Sequence, residues 1–253
     1  IVHNTQSKRR FKRHDSKKNT FLKTIKKKKV ENSFYNKNLI CVSNGVKNDL
    51  IDNFEIKPKS IDTIYNPFDV NDIQIMADIN NPVIPNEDYI IHVGRFEIGH
   101  KRHDILLKAY KKSNIKEKLV LLGDGKDRST IEDLIKELNL EDKVILAGFD
   151  SNPYPWIKNA KLFLFSSDYE GFGMVLVESL ILNTPVVSTD CPSGPSEILT
   201  GELANYLVPV GDIDALASKM KNALEYYPQI KDEYINKFNS YTIIEQYINL
   251  INK

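Results

Sequence analysis

The chain has few cysteines, no long hydrophobic run and no glycine in its first 44 residues. Cys41 and Cys191 cannot form the disulfide framework of a small secreted protein, and they fit a reducing cytoplasmic setting. No stretch approaches the roughly 18 consecutive apolar residues that a membrane-spanning helix requires. We expect no signal peptide, and because the chain opens without methionine we expect a fragment or a processed form. These absences argue against disulfide-rich secreted proteins and integral membrane proteins.

The net charge of +1 conceals two regions of opposite charge. Residues 1–37 contain 13 of the 35 Lys and Arg residues but only 2 of the 34 Asp and Glu residues, a local charge of +11. The rest of the chain therefore carries a charge of −10. Such a basic segment suggests an anionic partner, although a solvated helix face explains it equally well.

From residue 86 onward, short apolar runs alternate with helical patterns, which predicts parallel βαβ units. The strand-like runs cover residues 89–93, 118–122, 143–147, 161–165, 185–189 and 205–208. The helical patterns between and after them cover residues 103–112, 128–139, 175–182 and 213–226. Six strands in about 120 residues are enough for a complete Rossmann-like parallel sheet. We therefore predict an α/β fold with such a domain at residues 86–240.

Residues 1–85 are predicted to be the trailing part of a first α/β domain and a linker. Their strand-like and helical patterns cover residues 1–3, 7–34, 39–43, 46–53 and 61–65. Three strand fragments cannot close a core alone. Asn66-Pro67 and Asn81-Pro82 are typical of a linker. A last amphipathic pattern predicts a C-terminal helix in residues 241–253.

The segments that follow the predicted strands carry glycine and charge, which is typical of a ligand site at the carboxyl edge of a parallel sheet. Gly94-Arg95 and Lys101 follow the first strand of the predicted sheet. Fixed cations beside a glycine suit a diphosphate, and the alternative is that both are solvated surface cations. Gly123 and Gly125 form a weak motif, because the third glycine of a dinucleotide fingerprint is missing.

The segment from Glu170 to Glu178 combines two glycines with a strongly apolar helix. Gly171 and Gly173 precede this helix, so backbone N–H groups at its start could bind an anion. Glu178 lies inside it and needs a partner, which could be a ligand hydroxyl or a structural salt bridge. A further carboxylate, Glu197, is expected in the first turn of the next helix, where it would complement the helix dipole.

In their order and spacing these motifs resemble retaining glycosyltransferases of the two-Rossmann-domain fold (GT-B), family 4. The resemblance covers nearly the whole chain, and Asp190–Pro195 looks like bacterial enzymes that build capsule, lipopolysaccharide or lipid-linked oligosaccharide. Asn183 and Asn205 stand where the family usually has glycine, which asparagine can replace because it tolerates positive φ. The matching residues are Gly94-Arg95, Lys101, Gly123–Gly125, Gly148-Phe149, Glu170–Gly173, Glu178, Gly194, Glu197–Leu199, Ser43-Asn44, Ile64–Asp69 and His3–Thr5.

The resemblance implies transfer of a sugar from a nucleotide diphosphate-sugar, commonly a UDP-sugar, with retention of anomeric configuration and without a metal or other cofactor. The catalytic residues would be Glu170, His3, Arg95 and Lys101. The cations would hold the diphosphate, Glu170 would contact the donor sugar, and His3 would reach that sugar across the interdomain cleft. The nucleotide-sugar site would comprise Gly94, Arg95, Lys101, Gly123, Gly171, Phe172, Gly173, Met174, Val175 and Glu178.

The same resemblance implies a glycan or lipid-linked acceptor and a cytoplasmic protein at the inner face of the membrane. The basic segment, residues 8–29, would then meet anionic lipid or an acceptor diphosphate, whereas its few aromatic residues argue against nucleic acid. Because most of the first domain is absent, we do not expect this fragment alone to catalyse transfer. The alternatives are a non-catalytic nucleotide-sugar-binding subunit that needs a partner chain, and an epimerase or phosphorylase of the same architecture.

Overall fold

The computed structural model describes residues 1–3, 20–81 and 83–252, with side chains throughout except at residues 20–26. The first part of the chain forms a two-stranded parallel sheet, and Val2 adds one parallel bridge to Cys41. Residues 7–19 of the predicted basic helix lie outside the described residues. The elements are helix α1 (Thr20–Phe34), β1 (Asn38–Cys41), α2 (Asn44–Asn48), a π-helical turn (Asp49–Asn53), β2 (Ser60–Thr63) and α3 (Val70–Ala77).

The second part is built on a parallel sheet of six strands, which confirms the predicted α/β fold. Their order in the sheet is β5-β4-β3-β6-β7-β8. The central strands are buried on both faces because helices cover the sheet on each side, which explains their nearly continuous apolar sequences. The strands are β3 (Tyr89–Val93), β4 (Lys118–Leu122), β5 (Val144–Gly148), β6 (Leu162–Phe165), β7 (Val186–Thr189) and β8 (Leu207–Val208).

The helices of the second part fall between these strands, as the sequence pattern predicts. They are α4 (Ile98–Lys101), α5 (His103–Ser113), α6 (Arg128–Glu137), α7 (Tyr154–Asn159), α8 (Met174–Ile181), α9 (Pro195–Ile198), α10 (Ile213–Glu225), α11 (Asp232–Ile235) and α12 (Ser240–Ile251). Two 3-10 helices cover Gly201–Tyr206 and Asn236–Phe238. The sequence pattern missed α4, α7 and α11, which have only four to six residues each. No helix in the described part of the chain is both long and apolar enough to cross a bilayer.

The two asparagines expected to replace glycine behave differently. Asn183 follows α8 with a φ of 57°, so it takes the left-handed conformation that the resemblance implied. Asn205 lies within a 3-10 helix and has no positive φ. Only the first position therefore uses the tolerance of asparagine for that conformation.

The chain returns to its first part just before the last helix. Phe68 donates its backbone N–H to the carbonyl of Phe238 at 2.9 Å, and Ser240 donates to the carbonyl of Phe68 at 3.0 Å. The ring of Phe238 lies 5.3 Å from Tyr65 and 5.4 Å from Phe172, centroid to centroid, in edge-to-face contacts. The two parts of the chain therefore share an apolar core. The predicted domain boundaries at residues 85 and 240 stay predictions.

Candidate functional site

The candidate site lies where the strand order of the large sheet changes direction. Strands β4 and β5 extend to one side of β3, while β6, β7 and β8 extend to the other. The connections after β3 and β6 therefore leave in opposite directions, and they open a crevice beyond the carboxyl ends of these two strands. Lys101 follows β3 and Glu170 follows β6, so the fold brings two of the predicted site residues to this crevice.

Lys101 and Glu170 form an ion pair in the crevice, with 2.6 Å between Nζ and Oε1. Their side chains are only 16% and 12% exposed, so Lys101 is not the solvated surface cation of the alternative interpretation. Burial by itself would raise the pKa of Glu170, but hydrogen bonding from His100 and the charge of Lys101 lower that pKa to about 2. Glu170 is therefore ionised at neutral pH.

The two loops that carry this pair are joined along their length. Ser166 Oγ donates to the carbonyl of Lys101 at 2.7 Å, and the backbone N–H of Asp168 donates to the carbonyl of His100 at 2.9 Å. His100 Nε2 lies 2.6 Å from the carbonyl of Tyr169, and the two rings stack at 4.2 Å. The N–H at this nitrogen donates to that carbonyl, since the carbonyl can only accept. These contacts hold the carboxylate and the ammonium in place before any ligand arrives.

Arg95 lies at the tip of β3 and is exposed, with no ion-pair or hydrogen-bond partner among the described residues. Gly94 beside it packs against Gly123, because a Cβ on Gly123 would lie 2.1 Å from the carbonyl oxygen of Gly94. The glycines of the weak motif therefore permit close approach of the loops after β3 and β4. The exposed guanidinium remains available to an anionic ligand.

A cavity of about 390 Å³ opens beside these loops. Its lining comes from the carboxyl ends of β3, β4 and β5, with the exposed ring of Phe149 at one side. Phe149 is among the residues that carry the family resemblance, whereas Asp150, Ser151 and Pro153 were not predicted, although their position just beyond β5 could have indicated them. The lining residues are Val93, Gly94, Arg95, Leu122, Gly123, Asp124, Phe149, Asp150, Ser151 and Pro153. Three larger cavities in the described part of the chain lie away from this edge, and none of them contains a predicted site residue.

The start of α8 is where the sequence predicts anion-binding amides. Gly173 has a φ of 91° and precedes the helix, and the backbone N–H groups of Met174 and Val175 have no acceptor among the described residues. Phe172 contributes differently, because its side chain is buried against Tyr65 in the aromatic contacts between the two parts of the chain. Gly171 is buried next to it.

Glu178 lies one turn into α8, partly buried. No donor among the described residues reaches its carboxylate, so the structural salt bridge considered from the sequence is not present there. Burial raises the pKa of Glu178 to about 7. A ligand hydroxyl could therefore find an acceptor at this position.

Two further residues of the predicted motifs, His3 and Glu197, also follow the carboxyl ends of strands. His3 is exposed and follows the bridge between Val2 and Cys41, so it lies at the carboxyl edge of the small sheet. Glu197, expected to complement a helix dipole, instead directs its carboxylate at the first part of the chain. Oε2 accepts the backbone N–H of Asn44 at 2.8 Å, and Oε1 accepts that of Gly45 at 2.9 Å. The sequence could not show this contact because its partners are about 150 positions apart.

No group of three or more His, Cys, Asp or Glu side chains in the described ranges converges as metal ligands would. The expectation of metal-free chemistry stays a prediction.

The fold and the site together define a Rossmann-like α/β protein of the GT-B class, with a buried ion pair of Lys101 and Glu170 at the switch point of its sheet. Comparison with known proteins agrees. Residues 76–240 match the family described as glycosyl transferases group 1. The chain belongs to this family.

Curated relatives have similar sequences over about three quarters of the chain. An N-acetylgalactosamine-N,N'-diacetylbacillosaminyl-diphospho-undecaprenol 4-alpha-N-acetylgalactosaminyltransferase of Campylobacter jejuni is 38% identical over 77% of this chain and 52% of its own length. A lipopolysaccharide 1,6-galactosyltransferase of Escherichia coli is 30% identical over 78% of this chain and 55% of its own. The chain thus spans about half the length of the curated relatives it matches.

Solved structures share the fold. The structure of Anabaena HepE in complex with UDP and glucose has a TM-score of 0.79 at 20% identity, covering 100% of this chain and 70% of that one. The apo form of the lipopolysaccharide outer core galactosyltransferase WaaB has a TM-score of 0.70 at 25% identity, covering 84% and 60%.

Proposed function

We propose that the protein containing this chain transfers a sugar from a nucleotide diphosphate-sugar to a glycan or lipid-linked acceptor, with retention of anomeric configuration. The observation that carries the proposal is the ion pair of Lys101 and Glu170 at the switch point, beside the free amides of Met174 and Val175. A phosphate group would be bound by such cations and amides, and a sugar next to it would meet the carboxylate.

In this proposal Arg95 and Lys101 act on the leaving diphosphate. Arg95 and Lys101 stabilise the negative charge that builds up on the diphosphate as the bond to the sugar breaks. Without donor, Glu170 neutralises Lys101, and a bound phosphate would compete for the same ammonium. Glu170 would then turn its oxygens to the hydroxyls of the sugar, with His3 approaching from the first part of the chain.

The nucleoside would occupy the cavity beside Phe149. Glu178 would accept hydrogen bonds from the ribose hydroxyls, and such contacts suit a carboxylate that has no donor among the described residues. We propose a UDP-sugar as the donor and no metal. By their names, the two curated relatives act on an undecaprenol-linked saccharide and on lipopolysaccharide, which supports an acceptor of this kind at the inner face of the cytoplasmic membrane.

The test is a screen of UDP-, GDP- and ADP-sugars for slow hydrolysis by the full-length protein, together with calorimetric titration of UDP and uridine. We expect Arg95→Ala to weaken UDP binding about tenfold and uridine binding less than about twofold, because the guanidinium reaches only the phosphates. The control is Lys136→Ala, which removes an exposed cation on α6 far from the crevice.

Equal losses for UDP and uridine would contradict the diphosphate role of Arg95. A full-length protein that binds a nucleotide sugar but neither hydrolyses nor transfers it would favour the non-catalytic binding subunit.

A further inference from the structure

Glu197 is the centre of a polar contact between the two parts of the chain. Besides the amides of Asn44 and Gly45, its Oε2 accepts the hydroxyl of Tyr65 at 3.1 Å. Burial and the charge of Glu197 both raise the pKa of Tyr65, so this hydroxyl stays protonated and donates. Three donors from the first part of the chain thus surround one carboxylate of the second.

A second contact lies beside the first. Ser43 is fully buried and its Oγ donates to the carbonyl of Gly171 at 2.7 Å. Gly45 packs so closely on Ser193 that a Cβ there would lie 2.5 Å from the Cα of Ser193. We call the set Ser43, Asn44, Gly45, Tyr65 and Glu197 the interdomain latch.

The latch meets the loop on which the proposed chemistry depends. Gly171 directly follows Glu170, and its carbonyl is held by a side chain from the other part of the chain. Tyr65, which donates to Glu197, also stacks on Phe172 with 5.5 Å between ring centroids. The position of the loop from Glu170 to Gly173 therefore depends on where the first part of the chain lies.

The charge of Glu197 makes this dependence strong. No cation among the described residues pairs with its carboxylate. Lys237 instead donates to its backbone carbonyl at 2.7 Å. The carboxylate is stabilised by short, directional hydrogen bonds, so a small displacement of the first part weakens several charged hydrogen bonds at once.

We propose that Glu197 and Ser43 are positioning residues that couple the first part of the chain to the loop from Glu170 to Gly173, which we call the donor-sugar loop. This inference rests on the proposed transferase function. The latch residues are not themselves among the proposed diphosphate and nucleoside contacts, which are Arg95, Lys101, the amides of Met174 and Val175, and the cavity beside Phe149. Loss of the latch should therefore lower turnover and spare nucleotide binding.

The experiment uses the full-length protein with Glu197→Gln and Ser43→Ala, and Glu202→Gln as an exposed control. UDP binding is measured by calorimetry, hydrolysis of UDP-sugars by release of UDP, and folding by thermal melting. We expect hydrolysis turnover to fall about tenfold with Glu197→Gln, because an amide group would face backbone donors, while the UDP Kd changes less than about twofold. Ser43→Ala should lower turnover in the same direction by less, since it removes one neutral hydrogen bond.

Unchanged turnover in both latch variants would overturn the proposal. So would a loss of turnover matched by equal losses of UDP affinity and melting temperature, because that pattern means a damaged fold. A wild-type protein that binds no UDP would instead overturn the proposed function, and the coupling with it.

Discussion

Glu178 is a carboxylate that the free protein leaves without a donor in the part of the chain that the structure describes. Burial in α8 raises its pKa to about 7, whereas the neighbouring Glu170 is held ionised by Lys101 and His100. One helix and the loop before it thus contain two carboxylates in opposite electrostatic situations. The difference fits separate roles: Glu178 can accept hydrogen bonds from a neutral hydroxyl, whereas Glu170 pairs with the Lys101 ammonium.

We expect Glu178→Gln to stabilise the free protein at pH 8 by about 1–3 kcal/mol and to weaken UDP binding. The raised pKa means that the unfolded state ionises first as pH rises. The wild type therefore loses stability between about pH 4.5 and about pH 7, where its folded pKa lies. The stability that Glu178→Gln gains over the wild type should vanish below pH 4.5, where the carboxyl is protonated in both the folded and the unfolded protein.

Urea unfolding at pH 4 and pH 8 measures the effect, with Glu137→Gln, an exposed change on α6, as control. A variant that is equally stable at pH 8 would show that the carboxylate is not penalised by burial. Unchanged UDP affinity would remove the ribose role.

At this scale the sequence predicted which candidate residues lie at the carboxyl edge of the sheet, but not how they pair. Lys101, Arg95 and Glu170 could be found because each follows a strand whose carboxyl end faces the site. The contacts of Glu197 with Asn44 and Gly45 could not, since they depend on how two parts of the chain dock. A carboxylate in a first helical turn has a local explanation, and only the structure shows the distant one.

At the scale of elements, the periodicity of the sequence predicted all six strands of the large sheet, with bounds that differ by at most two residues. The strands were predictable because burial on both faces makes them apolar throughout. The short helices α4, α7 and α11 were not, since four to six residues make too few turns to show a period, whereas the start of α9 was expected after Gly194. The loops between elements carry the site, and their conformation depends on close contacts between backbones.

Gly194 shows how such a loop is fixed. It precedes α9 with a φ of 120°, and a Cβ there would lie 1.7 Å from the carbonyl oxygen of Phe172. We expect Gly194→Ala to destabilise the protein by more than about 1–3 kcal/mol, the usual strain of such a backbone, because the clash adds to it. The matched control is Gly99→Ala in α4, where a Cβ meets nothing within 4 Å and alanine favours the helix.

Thermal and urea unfolding compare the two variants. Equal stability would mean that the loop after β7 adapts to a side chain, and that the donor-sugar loop is held by other contacts.

At the scale of the whole molecule, the uneven charge follows the division into two parts. The acidic second part forms the crevice of the candidate site, while the basic segment precedes β1. The described end of that segment is helix α1, in which Lys28 and Lys29 are exposed and Val30 is buried. Lys27 pairs with Glu55 at 2.6 Å. Lys28 and Lys29 are then available to anionic head groups, as a lipid-linked acceptor would require.

We predict that the full-length protein binds anionic phosphatidylglycerol vesicles and leaves neutral phosphatidylcholine vesicles free in sedimentation. Replacing the lysines of residues 26–29 by glutamine should weaken binding to anionic vesicles about tenfold or more, because each cation near such a surface contributes about 1 kcal/mol.

The control replaces four lysines of the second part, Lys108, Lys111, Lys112 and Lys116, and so changes the net charge equally. Equal losses in both variants would attribute binding to net charge alone, whereas equal binding to both kinds of vesicle would remove the membrane role. A specific loss with residues 26–29 would place the acceptor side of the molecule at the membrane and leave the crevice of the second part open to the cytoplasmic donor.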